Sequence, residues 1–224
     1  MREIDRIAVA RGVPNLYQMM ENAGRAMARL VVGNLGRDWR QIPVSVHAGC
    51  GGNGGGGIVA ARNLANWGGD VALILSGDLA PGSVPAEQLG VYLETPGRLQ
   101  TEISSEAGLV VDALIGYGLR DAPTGVIADM IEAIRAVRGH VLSLDIPSGI
   151  HGDTGEAPGV AVRPDQTLTL ALPKTGLGKA DVGELWLADL GIPAGTLRRA
   201  GVEVPAHLFE DGPLIRLVRR SSQP

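Results

Sequence analysis

The sequence predicts a three-layer α/β domain, a mostly parallel sheet with helices on both faces, and three observations carry that prediction. Short apolar runs that read as strands alternate with segments whose apolar residues recur at helical spacing, the order that βαβ units produce. Several strand runs, Leu109 to Val111 among them, are apolar without alternation, as strands covered on both faces are. A glycine-dense stretch stands between the first strand and its helix, where converging N–H groups and the helix dipole favour an anion.

Taken in order, Met1 to Arg11 is amphipathic, with Ile4, Ile7, Ala8 and Ala10 set against charged residues, and Gly12 ends it. Pro14-Asn15 opens a second helix to about Leu35, whose apolar face is Leu16, Met19, Met20, Ala23, Met27, Leu30 and Val31. Its methionines read as core fillers packed on the sheet. Beside Glu21-Asn22, the small residues Ala23 and Gly24 leave room for another backbone or a subunit.

Pro43 to Ala48 reads as the first strand. From Gly49 to Gly57 seven of nine residues are glycine, which suggests a loop rather than packing, because glycine adds no side chain. Gly49-x-Gly51-x-x-Gly54 satisfies the dinucleotide fingerprint, and Ile58, Ala61, Leu64 and Ala65 continue as a helix. Asp70 to Leu75 is a second strand, and Ser83 to Leu93 a helix with Pro85 in its first turn. Leu109 to Ile115 is a strand carrying one carboxylate, Asp112, before Gly116-Tyr117-Gly118. Gly125 to Val137 is helical. Val141 to Asp145 is a strand that ends in a carboxylate and runs into Ile146-Pro147-Ser148-Gly149. Thr167 to Leu172 and Glu184 to Asp189 complete the strands. No repeat or linker divides residues 1–224, so the chain reads as one domain with a frayed tail from about Arg216 to Pro224.

Composition narrows the partners. A formal net charge of -4 argues against nucleic acid or an anionic membrane, and 3% aromatics leaves little to stack on single strands. No apolar run reaches membrane-spanning length and the N-terminus lacks a signal-peptide core, so a cytoplasmic location is expected. The single cysteine, Cys50, fits a reducing compartment and stands in no cysteine-enzyme signature. There is no P-loop, nucleophile elbow or H-E-x-x-H zinc motif. Ligands of open α/β sheets bind outside the strand carboxyl ends, and the glycine stretch, Asp112 with Gly116 to Gly118, and Asp145 with Ser148 all fall there. A carboxylate in an apolar strand needs a hydrogen-bonding partner, an opposite charge or a cation.

These segments together resemble the NAD(P)H-hydrate epimerase family, of the YjeF N-terminal domain type. The matching pieces are Met1-Arg2-Glu3-Ile4-Asp5, Met20-Glu21-Asn22-Ala23-Gly24, the glycine stretch through Ala60-Ala61-Arg62, and Asp112-Ala113-Leu114-Ile115-Gly116. They continue with Leu144 to Gly149, Asp153-Thr154-Gly155, Pro173-Lys174-Thr175-Gly176-Leu177 and Asp189-Leu190-Gly191-Ile192-Pro193. The resemblance implies a Rossmann-like homodimer that interconverts the C6 epimers of hydrated NADH or NADPH and works beside a separate dehydratase. It also implies a potassium ion on Asn53, Asp112 and Ser148, oxygen donors that suit a hard cation. Substrate contacts carry over to Asn53, Gly54 and Gly55, to Gly116, Tyr117, Gly118, Leu119, Arg120, Asp121 and Ala122, and to Asp145. Asp145 is the candidate acid/base group, and Lys174 positions or charge-balances it. Where the family runs G-N-N-G-G-D-G, this chain has Gly52 and Gly56 in place of asparagine and aspartate, which predicts a looser loop. A non-catalytic nucleotide-binding or scaffold module of the same fold is the alternative reading.

Overall fold

Residues 14–102 and 107–218 are described by the computed structural model; the amphipathic stretch from Met1 to Arg11 lies outside them. Helix α1 (Leu16–Leu35) starts where Asn15 and Gln18 cap each other reciprocally: Gln18 N donates to Asn15 Oδ1 at 2.9 Å, and Asn15 N to Gln18 Oε1 at 2.8 Å. Strand β1 (Val44–Ala48) leads into α2 (Gly52–Asn66), and β2 (Val71–Leu75) into α3 (Val84–Leu93), capped by Ser83 with Pro85 in its first turn. Then come β3 (Arg98–Gln100), β4 (Leu109–Ala113), α4 (Gly125–Ala136), β5 (His140–Leu144), β6 (Gln166–Leu170), β7 (Glu184–Ala188), α5 (Ala194–Arg199) and β8 (Leu214–Leu217).

The eight strands form one sheet in the order β3-β2-β1-β4-β5-β6-β7-β8. All pairings are parallel except β7 with β8. The chain reverses its direction of travel across the sheet between β1 and β4, which opens a crevice at their carboxyl ends. Alternate residues of β4 feed separate cores: Leu109, Val111 and Ala113 pack with α1 and α2, while Val110 packs with Met130, Ile131 and Ile134 of α4. Helices therefore cover both faces, as expected.

Three elements escaped the sequence reading. β3 is a mostly exposed edge strand, α5 has six residues, and β8 falls partly within the tail read as frayed from Arg216. There Arg216 and Leu217 are held by pairing with β7, and Arg216 Nη2 lies 2.6 Å from Glu184 Oε1. Residues 219–224 lie outside the described residues. Strands β5 and β6 end before Asp145 and Ala171, because both residues take a left-handed backbone, with φ of 69° and 61°, through which a strand cannot continue.

His47 sits in β1 with no exposed surface, its Nε2 3.0 Å from Ser45 Oγ, and burial lowers its pKa from 6.5 to about 4. The unfolded chain therefore binds a proton there at a pH where the folded chain does not, so this group's contribution to stability declines as pH falls from about 6.5 towards 4. Urea midpoints at pH 7 and pH 5 should separate for the unaltered protein and separate less for His47→Asn. Equal separations would remove the assignment.

Candidate active site

Gly52 to Gly57 are helical rather than a loop, while Gly49 to Gly51 lie before the helix. Gly51 is the N-cap of α2 and supplies no side-chain cap, so the helix's first N–H groups are left without an internal acceptor beside the crevice. Gly54 to Gly57 are buried inside the first turns. Three of them lack a Cβ for a reason of space. One at Gly54 would overlap the Gly49 carbonyl oxygen, one at Gly55 would lie 2.7 Å from Met20 Sδ, and one at Gly57 would lie 2.5 Å from Ala113 Cβ. On α1, a Cβ at Gly24 would lie 2.6 Å from Gly56 O, so the neighbour admitted by Ala23 and Gly24 is α2 of the same chain. The methionine face of α1 meets this helix and the cleft beside it: Met27 is fully buried, and Met19 and Met20 line the cleft.

That cleft has a volume of about 730 Å³ at the carboxyl ends of β4, β5 and β6. Asn53, Gly116, Tyr117, Gly118, Arg120, Asp145 and Lys174 line it among the residues expected from sequence. Gly54 and Gly55 lie behind the wall against Gly49 and Met20, and Leu119 is buried beneath its loop, with N donating to Gly116 O at 3.4 Å. Asp121 and Ala122 do not line it. The apolar side, which sequence reasoning did not assign to a site, is Leu16, Met19, Met20, Ala23, Leu144, Leu170 and Leu190. The helical apolar face of α1 carried that signal, but a face that lines a cleft has the same spacing as one that lines a core.

Asp145 is almost fully buried at the end of β5. Lys174 Nζ donates to its Oδ1 in a buried ion pair, and Tyr117 N donates to Oδ2 at 3.2 Å. Gly116 allows this approach: a Cβ there would lie 2.9 Å from Asp145 Oδ2 and 3.3 Å from Asn53 Oδ1. Asn53, Gly116 and Asp145 thus converge at one point. Both side-chain polar atoms of Asn53 are buried and have no hydrogen-bond partner among the described residues, a state that costs free energy unless a ligand satisfies it.

Asp112 is fully buried behind this point. Its Oδ1 accepts from Ser148 Oγ at 2.5 Å and Leu114 N at 3.2 Å; its Oδ2 accepts from Ser143 Oγ at 2.7 Å and Ser148 N at 2.9 Å. Burial raises its pKa, and these neutral donors act in the opposite direction. Ser148 Oγ also accepts from Ile115 N at 2.8 Å, which ties the loop after β4 to the loop after β5. Asn53, Asp112 and Ser148 are the oxygen donors an alkali cation takes, and Asn53 Oδ1 is an unused acceptor, whereas the two Asp112 oxygens already accept from four neutral donors.

The model of the family described as YjeF-related protein N-terminus matches residues 16–176. A NAD(P)H-hydrate epimerase of Dehalogenimonas lykanthroporepellens is 48% identical over 220 residues, covering 97% of this chain and 90% of its own. A NAD(P)H-hydrate epimerase of Rhodopirellula baltica is 34% identical over 90% of this chain and 86% of its own. A bifunctional NAD(P)H-hydrate repair enzyme Nnr of Thermofilum pendens is 39% identical over 83% of this chain, which spans only 38% of that protein. The crystal structure of yeast ynu0, YNL200c, shares the fold with a TM-score of 0.82 at 22% identity, over 96% of each chain. With the matched model covering most of the chain and a relative aligned along nearly all of it, the protein belongs to the YjeF-related N-terminus family.

Proposed function

We propose that the protein interconverts the two C6 epimers of hydrated NADH or NADPH. Relatives named for that activity, aligned over 97% and 90% of this chain, supply the reaction. The observation in this chain that carries it is Asp145, a buried carboxylate held on one oxygen by Lys174 with its other oxygen beside Gly116 and Asn53 in the cleft. C6 of the hydrate bears a hydroxyl and the ring nitrogen. The C6–O bond breaks with the nitrogen lone pair closing to an iminium ion, and the leaving hydroxide takes a proton from solvent. Water then adds to the opposite face of C6, the Asp145 carboxylate accepts its proton, and that proton returns to solvent, which balances the cycle. The uncapped N–H groups at the start of α2 and the Arg120 guanidinium suit the nucleotide's phosphates. Gly116 to Gly118 supply backbone to the ring, and Asn53 an amide.

A potassium ion would be held by Asn53, Asp112 and Ser148, where it supplies fixed positive charge against the Asp112 carboxylate. Hydrate affinity should then be higher in potassium than in a bulky organic cation, and Asn53→Ala or Asp112→Ala should remove the difference. Affinity insensitive to potassium in the unaltered protein contradicts the ion assignment.

The same reading places the protein in the cytoplasm, as a homodimer, beside a separate dehydratase. Among the described residues no helix is long and apolar enough to cross a membrane. A monomeric mass by light scattering at micromolar concentration would remove the dimer. The reaction itself is tested by incubating a mixture of hydrated NADH epimers with the protein and a dehydratase selective for one of them, then following both by chromatography. Protein-dependent loss of the other epimer is expected, and its persistence contradicts the proposal.

A further inference from the structure

Lys174 does not reach the substrate through a spare hydrogen. Its buried ammonium meets Asp145 Oδ1, Leu170 O at 2.9 Å and Thr169 Oγ1 at 3.3 Å. An ammonium carries three hydrogens, and each has an acceptor here. A guanidinium, planar and forked, presents its donors differently from a compact ammonium. The composition makes the point sharper: among 20 lysines and arginines only Lys174 and Lys179 are lysine.

The backbone on both sides is equally specific. Asp145 and Ala171 are the non-glycine residues with positive φ among the described residues, and they follow adjacent strands, β5 and β6. Each is the centre of a γ-turn: Ile146 N donates to Leu144 O at 3.0 Å, and Leu172 N to Leu170 O at 2.7 Å. γ-Turns with a left-handed centre are rare and strained, and they persist where the surroundings over-determine them. Here Asp145 N donates to Leu168 O at 2.7 Å, and Leu170 O accepts from both Leu172 N and Lys174 Nζ. The first turn aims the carboxylate; the second returns the chain so that Lys174 lies back over the end of β6.

Thr169, fully buried in β6, is the one side chain besides Asp145 that takes a hydrogen from this ammonium among the described residues. We propose that Thr169 is a positioning residue for the reaction: it fixes the direction in which Lys174 holds Asp145 Oδ1, and thereby the direction in which Asp145 presents Oδ2 to the cleft. The inference depends on the epimerase reading for its kinetic arm only.

Thr169→Val keeps the shape of the side chain and removes the hydroxyl; Thr169→Ser keeps the hydroxyl. Thr169→Val should lower kcat about tenfold with KM nearly unchanged, the pattern of a displaced catalytic group, and Thr169→Ser should recover most of it. A kcat equal to that of the unaltered protein, or KM rising in step with a loss that serine fails to rescue, overturns the role. The second arm needs no turnover. In protein labelled with ¹⁵N-lysine, the two side chains give separable signals, and the Lys174 ammonium should be seen in the unaltered protein and Thr169→Ser through slow hydrogen exchange. It should broaden away in Thr169→Val and Thr169→Ala; an unchanged signal in both overturns the inference. An unaltered protein that turns nothing over defeats the epimerase reading and leaves this arm to decide the positioning role.

Discussion

Asp145→Asn is expected to bind the hydrate and to lower turnover by roughly 10²–10⁴-fold, the scale of general acid–base assistance. The substitution removes proton transfer with the smallest change of shape. Asparagine keeps the planar shape of the side chain, its oxygen still accepts from Lys174, and it is among the few side chains that tolerate the left-handed backbone at this position, φ 69°. Asp145→Ala is a poorer test, because it adds backbone strain and removes the acceptor as well as the charge facing the buried Lys174 ammonium; loss of that charge, common to both variants, destabilises by about 3–5 kcal/mol. Turnover and hydrate affinity should be measured on the same preparation, at a temperature where circular dichroism shows both proteins folded. Equal turnover would reject Asp145 as the acid/base group and leave the family assignment standing.

The second large effect concerns the start of α2, where two glycines two residues apart should respond with opposite signs. Alanine in place of a helical glycine ordinarily stabilises by about 0.5–1 kcal/mol. Gly52 should show this gain, since the nearest atom to a Cβ there is Met20 Cε at 3.9 Å. Gly54→Ala should destabilise, because its Cβ would overlap the Gly49 carbonyl oxygen, part of the backbone at the end of β1, and overpacking of this kind costs about 1–3 kcal/mol or more. Urea midpoints that rise for Gly52→Ala and fall for Gly54→Ala are the expected result; a rise for both would mean that the stretch is open. The same geometry separates the two departures from the family pattern. Gly52→Asn has room and should improve hydrate affinity, whereas a Cβ at Gly56 lies 3.0 Å from Leu144 Cδ2, so Gly56→Asp has to displace that side chain.

Much of this was legible in the chain. Alternating strands and helices gave the layered sheet, and the carboxylates in or after apolar strands pointed to Asp112 and Asp145 at the carboxyl ends. The glycine stretch was misread because a sequence shows that side chains are missing but not what fills the space; here α1, Met20 and the end of β4 do. Residues Ser143 and Thr169 went unnoticed for a related reason. A hydroxyl in an apolar strand looks incidental until its partner, Asp112 or Lys174, is folded against it. The ends of β5 and β6 were set one or two residues too far because neither Asp145 nor Ala171 announces a positive φ. β3 and β8, at the two edges, are held by their neighbours rather than by an apolar pattern of their own.

Epimerisation is most directly tested from a single pure epimer. Each C6 epimer of hydrated NADH, isolated by chromatography, is incubated separately with the protein, and both forms are followed in time. The account predicts that the two reactions converge on one ratio at a rate proportional to protein concentration. Ratios that follow the uncatalysed curve, while the protein binds the hydrate, would contradict it and identify a binding module instead.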